Sequence, residues 1–245
     1  MEGSLPRDMM RPQEIIGLVR LEVALDLRQK ASWAGMLLYT VSAVYLCYLG
    51  VRGGLPLPTW NALFWTVLLF AAFNALARSF QREDTGRQIY LHTLVDPRSV
   101  VLARTLYNMA VMLVLSLLTL AVYVLMFGGG VLDEAEVGVF VLSVVLGGTG
   151  FATVLTLIAA IAARAGNGMG LTAILGFPLV LPLLLSVMRA SKLALDGMPW
   201  SITSTYLLWL VLIDVLTLAL AYLALPTFGA TDEAIGGRPW AWYSC

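Results

Sequence analysis

Side chains able to do chemistry are few in this 245-residue chain: one histidine, His92, and two cysteines, Cys47 inside an apolar run and Cys245 at the last position. The cysteines lack the C-x-x-C spacing of a zinc or redox site, and a lone histidine leaves little for metal or axial heme ligation. Asp214 is the one acidic residue inside an otherwise apolar run, Thr203–Pro226. A carboxylate at the centre of a membrane helix costs about 3 kcal/mol on insertion scales, so Asp214 should face the bundle interior and a partner. Two readings stay open for it, a carboxyl hydrogen-bonded to a Thr, Tyr or Asn of a neighbouring helix, or a group that gates or carries a proton. With no second titratable group at membrane depth, an intramembrane enzyme is the least favoured class. Pro178 and Pro182, four apart, each free a backbone carbonyl and kink or break the helix between them, as local geometry or as a hinge. No Gly-x-x-x-x-Gly-Lys-Ser/Thr sequence occurs, so any ATP use must reside on another subunit.

The elements that position these residues follow from composition. Hydrophobic residues make up 60% and charged residues 12% of the chain, about half the charged fraction of a soluble domain. Fifteen Lys/Arg cancel fifteen Asp/Glu, which leaves no cationic excess for a phosphate backbone and argues against nucleic acid as a partner. A spanning helix needs about 20 apolar residues to cross roughly 30 Å of hydrocarbon. Ala31–Val51, Gly53–Ala77, Thr105–Leu132, Val137–Ala163 and Ala165–Met188 contain no Asp, Glu, Lys or Arg, and Thr203–Pro226 contains only Asp214. The expectation is an all-α polytopic membrane protein with six transmembrane helices over residues 31–226, preceded by a cytoplasmic arm over 1–30 and followed by a cytoplasmic tail over 227–245. Runs such as Val111–Leu125 lack the period-two alternation of a β-barrel strand.

Cytoplasmic connections retain Lys and Arg. The arm (Arg7, Arg11, Arg20, Arg28, Lys30), the second connection with the start of the next helix (Arg78, Arg82, Arg87, Arg98, Arg104), Arg164 and Arg238 place twelve on one side, against Arg52, Arg189 and Lys192 on the other. Both termini are expected inside. Met1–Lys30 has no basic start leading into an uninterrupted apolar core and cleavage site, so no removable signal peptide is expected. Pro12–Lys30 is helix-prone but too charged to span. Glu22, Asp26 and Lys30 form one polar stripe and Arg20, Ala24 and Arg28 another, leaving Ile16, Val23 and Leu27 on one flank and Leu18, Leu21 and Leu25 on the other. Such a helix suits the inner interface, between membrane lipids and the bundle.

The connection from Arg78 to Arg98 is long for a simple turn. It starts with mixed charge, passes through Gly86, becomes amphipathic over Gln88–Leu94 and stops at Asp96-Pro97, where proline permits a new helix to begin. This reads as a short helix across the cytoplasmic face, either a plain solvated connector or a docking helix for a cytoplasmic partner. Gly147, Gly148 and Gly150, and Gly166, Gly168 and Gly170, read as sites of close helix packing.

The order of an N-terminal interfacial helix, six spans and a cytoplasmic coupling helix between spans two and three resembles a type-2 ABC exporter permease. More narrowly, Phe80-Gln-Arg-Glu-Asp-Thr-Gly86, then Leu91, Leu94 and Pro97, then Val100-Val-Leu-Ala-Arg104, resemble the CcmB family, the permease subunits of cytochrome c maturation. Phe177-Pro-Leu-Val-Leu-Pro-Leu-Leu-Leu185 resembles that family's Pro-Leu-x-x-Pro-Leu-Leu core in the fifth span. The resemblance covers roughly Leu21–Ala224. It implies a bacterial inner-membrane protein that docks a CcmA-like ATPase through Arg82, Glu83, Asp84, Gly86, Leu91, Leu94 and Pro97. It further implies CcmC-like and CcmD-like membrane partners, a CcmE-like heme chaperone, heme as cargo and no directly bound cofactor of its own. Pro178, Pro182 and Asp214 become its hinge or transport residues. Where the family loop continues Gly-x-Leu-Glu, Gly86 is followed here by Arg87-Gln88-Ile89, so an acidic residue expected near the ATPase is missing.

Other readings from the residues alone are a generic ABC permease exporting a lipid, polysaccharide or drug, and a non-transporting assembly scaffold. The topology is testable directly. Cysteines placed at Thr85 and at Ser244, in a background lacking Cys47 and Cys245, should both resist an impermeant thiol reagent added outside intact cells; labelling of either from outside overturns the orientation.

Overall fold

The computed structural model of the protein describes residues 12–28, 30–51, 55–81, 97–164 and 168–234. They form seven α-helices: α1 (Pro12–Arg28), α2 (Lys30–Gly50), α3 (Leu57–Gln81), α4 (Pro97–Phe127), α5 (Val137–Arg164), α6 (Gly168–Leu195) and α7 (Trp200–Ala234), with one 3₁₀ turn at Gly130–Leu132. No strand occurs among the described residues. Five helices, α2 and α4 to α7, are long and apolar enough to cross a membrane. α3 is 25 residues long, but Asn61, Asn74 and the indoles of Trp60 and Trp65 make it the least apolar candidate. α4 begins at Pro97, where the fixed φ of proline suits a first helical position and its missing N–H costs nothing. α7 runs past Pro226 as far as Ala234, beyond the span boundary read from the sequence.

α5 is the axis of the bundle. It packs against α3, α4, α6 and α7, and every residue from Phe151 to Ile158 is buried, as befits a helix apolar on all sides and enclosed by others. Its glycines explain how four neighbours come so close. A Cβ on Gly147 would lie 2.6 Å from both a Trp65 ring carbon of α3 and Val187 Cγ2 of α6. On Gly148 it would lie 2.8 Å from Ser116 Oγ of α4, and on Gly150 2.5 Å from Asp214 Oδ1 of α7 and 2.7 Å from Leu183 Cδ1 of α6. The expectation that these three glycines serve close packing is what the backbone geometry shows. Gly166 lies outside the described residues.

Between α3, α4 and α5 sits an aromatic cluster. Trp60 meets Tyr123 edge-on at 4.8 Å between ring centres and Phe64 meets Trp65 edge-on at 5.2 Å, arrangements that set ring edges against ring faces. The Tyr123 hydroxyl donates to Trp60 O at 3.1 Å, which ties α4 to the first turn of α3. Two connections also meet: Glu136 N donates to Ala194 O at 2.9 Å, and Gly197, at φ +66, admits the Glu134 carbonyl where a side chain would sit.

α2 and α7 are the outer helices. Leu38, Leu46, Leu208 and Leu212 are exposed on them, as lipid-facing residues should be. α1 rests on α4 and α2. The two apolar flanks expected of it do not share burial, because contact runs along Leu18, Val19 and half-buried Glu22 while Ile16, Leu21 and Val23 stay exposed. Contact with the bundle thus falls on a stripe that includes a polar residue, while Ile16, Leu21 and Val23 are left free to meet lipid.

The close approach at Gly147 sets a prediction. Ala is a better helix former than Gly by about 1 kcal/mol, so Gly138→Ala, with nothing within 4 Å of its new Cβ, should be neutral or stabilising. Gly147→Ala should instead lower stability by about 1–3 kcal/mol through overpacking against Trp65 and Val187. Thermal unfolding of the two variants in detergent compares them, and equal midpoints would show that α3 and α6 do not depend on the glycine.

Candidate functional site

Among the described residues, three groups of polar side chains inside the bundle each join two helices across a seam. At the α3–α6 seam, Asn61 and Ser191 are buried in apolar surroundings. Trp65 Nε1 donates to Ser191 Oγ at 2.8 Å, Ser191 Oγ lies 2.9 Å from Asn61 Oδ1, and Asn61 Nδ2 donates to Met188 O at 2.9 Å. An indole, a hydroxyl and an amide thereby satisfy one another where an unpaired polar group would cost several kcal/mol. At the α4–α5 seam, Asn108 Nδ2 donates to Thr156 Oγ1 at 2.8 Å, and Thr156 donates in turn to Ala152 O at 2.6 Å.

At the α5–α7 seam lies Asp214. Thr149 Oγ1 is 3.5 Å from Asp214 Oδ2, at the outer limit of a hydrogen bond, while Asp214 Oδ1 is buried without a partner. One turn along the same seam, Thr153 and Thr217 share a hydrogen bond of 3.2 Å. Thr217 also reaches back to Ile213 O at 2.8 Å and Asp214 O at 3.0 Å, and Thr153 to Gly150 O at 3.0 Å. A hydroxyl that donates within its own helix keeps lone pairs for its neighbour, so each seam gains a polar tie at small desolvation cost. Asp214 thus contacts a threonine of a neighbouring helix, the first of its two sequence readings.

The remaining expected site residues are dispersed. Pro178 and Pro182 lie on the exposed side of α6, opposite Val180, Leu183 and Val187, which are buried. The pair does not break the element, which continues as one helix from Gly168 to Leu195. Proline removes one donor and leaves its ring on the outside of the turn, so on an unsupported face the helix passes through. Pro97 starts α4, while Arg82, Glu83, Asp84, Gly86, Leu91 and Leu94 lie outside the described residues. No group of three or more His, Cys, Asp or Glu is gathered among the described residues.

Asn61, Ser191 and Trp65 were not singled out by sequence. Their partners stand 126 and 130 positions apart, and Asn61 in an uncharged run was the one available signal, because a buried amide requires partners.

A bundle of long apolar helices tied at its seams by hydroxyls and amides is a polytopic membrane protein. The model of one protein family, described as CcmB protein, matches residues 13–230. The chain belongs to the CcmB family, the heme exporter permeases of cytochrome c maturation and membrane subunits of an ABC transporter. No curated protein matches the chain in a direct sequence comparison.

Proposed function

We propose that this chain couples ATP hydrolysis on a CcmA-like partner to heme handover, or to release of a heme-loaded CcmE-like chaperone, on the outer face of the bacterial inner membrane. The family match across 13–230 carries this reading, because it spans the whole bundle. CcmC-like and CcmD-like proteins are its membrane partners, and heme is cargo rather than a bound cofactor. α3 is counted as the sixth crossing. Its 25 residues extend about 37 Å at 1.5 Å per residue, and its Trp65 indole and Asn61 amide bond to α6 rather than face lipid. With six crossings and the twelve-to-three charge asymmetry, both termini lie in the cytoplasm.

Gln88–Leu94, with Arg82, Glu83, Asp84, Gly86 and Pro97 around it, is the docking element for the ATPase. Burial of each Leu there is worth roughly 2 kcal/mol, so Leu91→Ala with Leu94→Ala should weaken association about a thousandfold. The ATPase should then be lost on purification while the permease stays in the membrane; unchanged co-purification removes the docking assignment and leaves the family assignment standing.

Pro178 and Pro182 serve as the bend through which ATPase motion reaches the outer half. Each leaves a carbonyl, at Ile174 and at Pro178, without its intrahelical donor. Replacing both with Ala restores those bonds. The double variant should assemble and hydrolyse ATP yet fail to support holocytochrome c formation. Full maturation would reduce the pair to packing, and loss of assembly would make it structural.

A further inference from the structure

An ionised carboxylate at position 214 leaves the hydrogen bonds of the α5–α7 seam unbalanced. A carboxylate only accepts. Among the described residues the one donor within reach is the Thr149 hydroxyl, and its single proton is contested by Val145 O at 3.1 Å and Leu146 O at 3.0 Å, both closer than Asp214 Oδ2 at 3.5 Å. Oδ1 is buried with no partner, and it faces the bare backbone of Gly150, where a Cβ would be 2.5 Å from Oδ1 and 2.7 Å from Leu183 Cδ1.

The helices packed on α7 are α4, α5 and α6. Between residues 105 and 163 of α4 and α5, the only Asp or Glu are those of the connection, Asp133, Glu134 and Glu136, and there is no Lys, Arg or His. The ionisable groups at depth on these helices, Asp214 apart, are the phenols Tyr107 and Tyr123 on α4 and Tyr206 and Tyr222 on α7 itself, and Tyr123 is engaged with Trp60 O. Asn108 opposite Thr156, with Ser116 beside Gly148, fixes the register of α4 on α5 and sets Arg104 about 15 Å along the axis from Gly150. Arg164 is farther, about 21 Å along α5. On α6, Arg189 and Lys192 are exposed and lie beyond Leu183 towards the helix end. Among the described residues, no cation lies beside the carboxyl.

We propose that Asp214 is a proton-binding site: it carries its proton on Oδ2, donates it to Thr149 Oγ1, and thereby latches α7 to α5. In this state the bonds close in sequence, from acid to threonine hydroxyl to backbone carbonyl, and Oδ1 is the carbonyl of a neutral acid, far cheaper to leave unbonded than an anionic oxygen. Thr153 and Thr217 form the second clasp one turn along. Loss of the proton to water removes the donor and strands a charge against Gly150 and Leu183, so release of the proton and parting of α5 from α7 go together. The inference does not depend on heme as the cargo.

Asp214 is part-exposed next to lipid-facing Val211 and Val215, so an apolar reagent dissolved in the bilayer reaches it. Dicyclohexylcarbodiimide reacts with protonated carboxyls in apolar surroundings, whereas a charged, water-soluble carbodiimide stays in the aqueous phase. In the complete complex in native membranes at neutral pH, mass spectrometry should find the dicyclohexylcarbodiimide adduct at Asp214 and no adduct from the soluble reagent. Asp214→Asn, whose amide donates to Thr149 as the acid does, should assemble and keep its thermal midpoint, while Asp214→Ala should lower it. Absence of the apolar adduct, or equal labelling by the soluble reagent, overturns the proposal. So does equal loss of stability in the Asn and Ala variants, which would make the acid's proton irrelevant to the seam.

Discussion

Everything in this bundle depends on three missing side chains on one turn of α5. At 100° per residue, Gly147, Gly148 and Gly150 point in three directions around the helix, and each admits a different set of neighbours: α3 with α6, α4, and α6 with α7. Lipid tails are as apolar as leucine, so helices in a bilayer are held by close van der Waals packing and by hydrogen bonds rather than by exclusion from water. A central helix with ordinary side chains at these positions would hold its neighbours farther away, beyond the reach of the short hydroxyls of Ser116, Thr149 and Thr153. Glycine is therefore the condition for the polar seams as well as for the packing.

The seams use that closeness in a consistent way. Most bundle hydroxyls first donate to a carbonyl three or four residues back, as Thr119, Ser143, Thr156 and Thr217 do. A hydroxyl so committed is nearly harmless in hydrocarbon and still offers lone pairs sideways. Asn108, Trp65 and Asn61 exploit this by bringing N–H donors to hydroxyls or carbonyls across a seam. Each tie is small, about 0.6 kcal/mol on average for interhelical bonds in membranes, but together with the glycines they fix register, since Asn108 can face Thr156 in only one alignment of α4 on α5.

Much of this was legible in the sequence, and the parts that were not share a cause. Uncharged runs located the helices because burying a charge is so costly, and Asp96-Pro97 marked the start of α4 because the fixed φ and missing N–H of proline suit a first helical position. The glycine triplet was readable for the same reason of exclusion. Asn61 and Ser191 were not, since nothing local distinguishes an amide that has a partner from one that lacks it, and here the partners lie on α6. Polarity on α3 also makes it look less like a span than its neighbours, because hydropathy counts an indole and an amide as wet whether or not the fold has paired them. Of the kink or break expected at Pro178 and Pro182, the break does not occur, as a proline pair on the unsupported side of a helix removes bonds without forcing the ends apart.

α6 carries the consequence furthest. Its buried face is fastened at three successive levels, Leu183 at Gly150, Val187 at Gly147 and Ser191 at Asn61 and Trp65, while both prolines lie on the opposite, unfastened side. A helix weakened on its outer face and pinned on its inner face bends most easily about the pins, and the pin nearest the prolines is Leu183. That residue and Asp214 approach the same glycine, Leu183 from α6 and Asp214 from α7. Any bend of α6 at the prolines must therefore change the space beside the Asp214 carboxyl, and any parting of α7 from α5 must loosen the seat of Leu183. With no side chain at Gly150 between them, Leu183 and the Asp214 carboxyl share one space, so a bend of α6 there and a parting of α7 would each disturb the other.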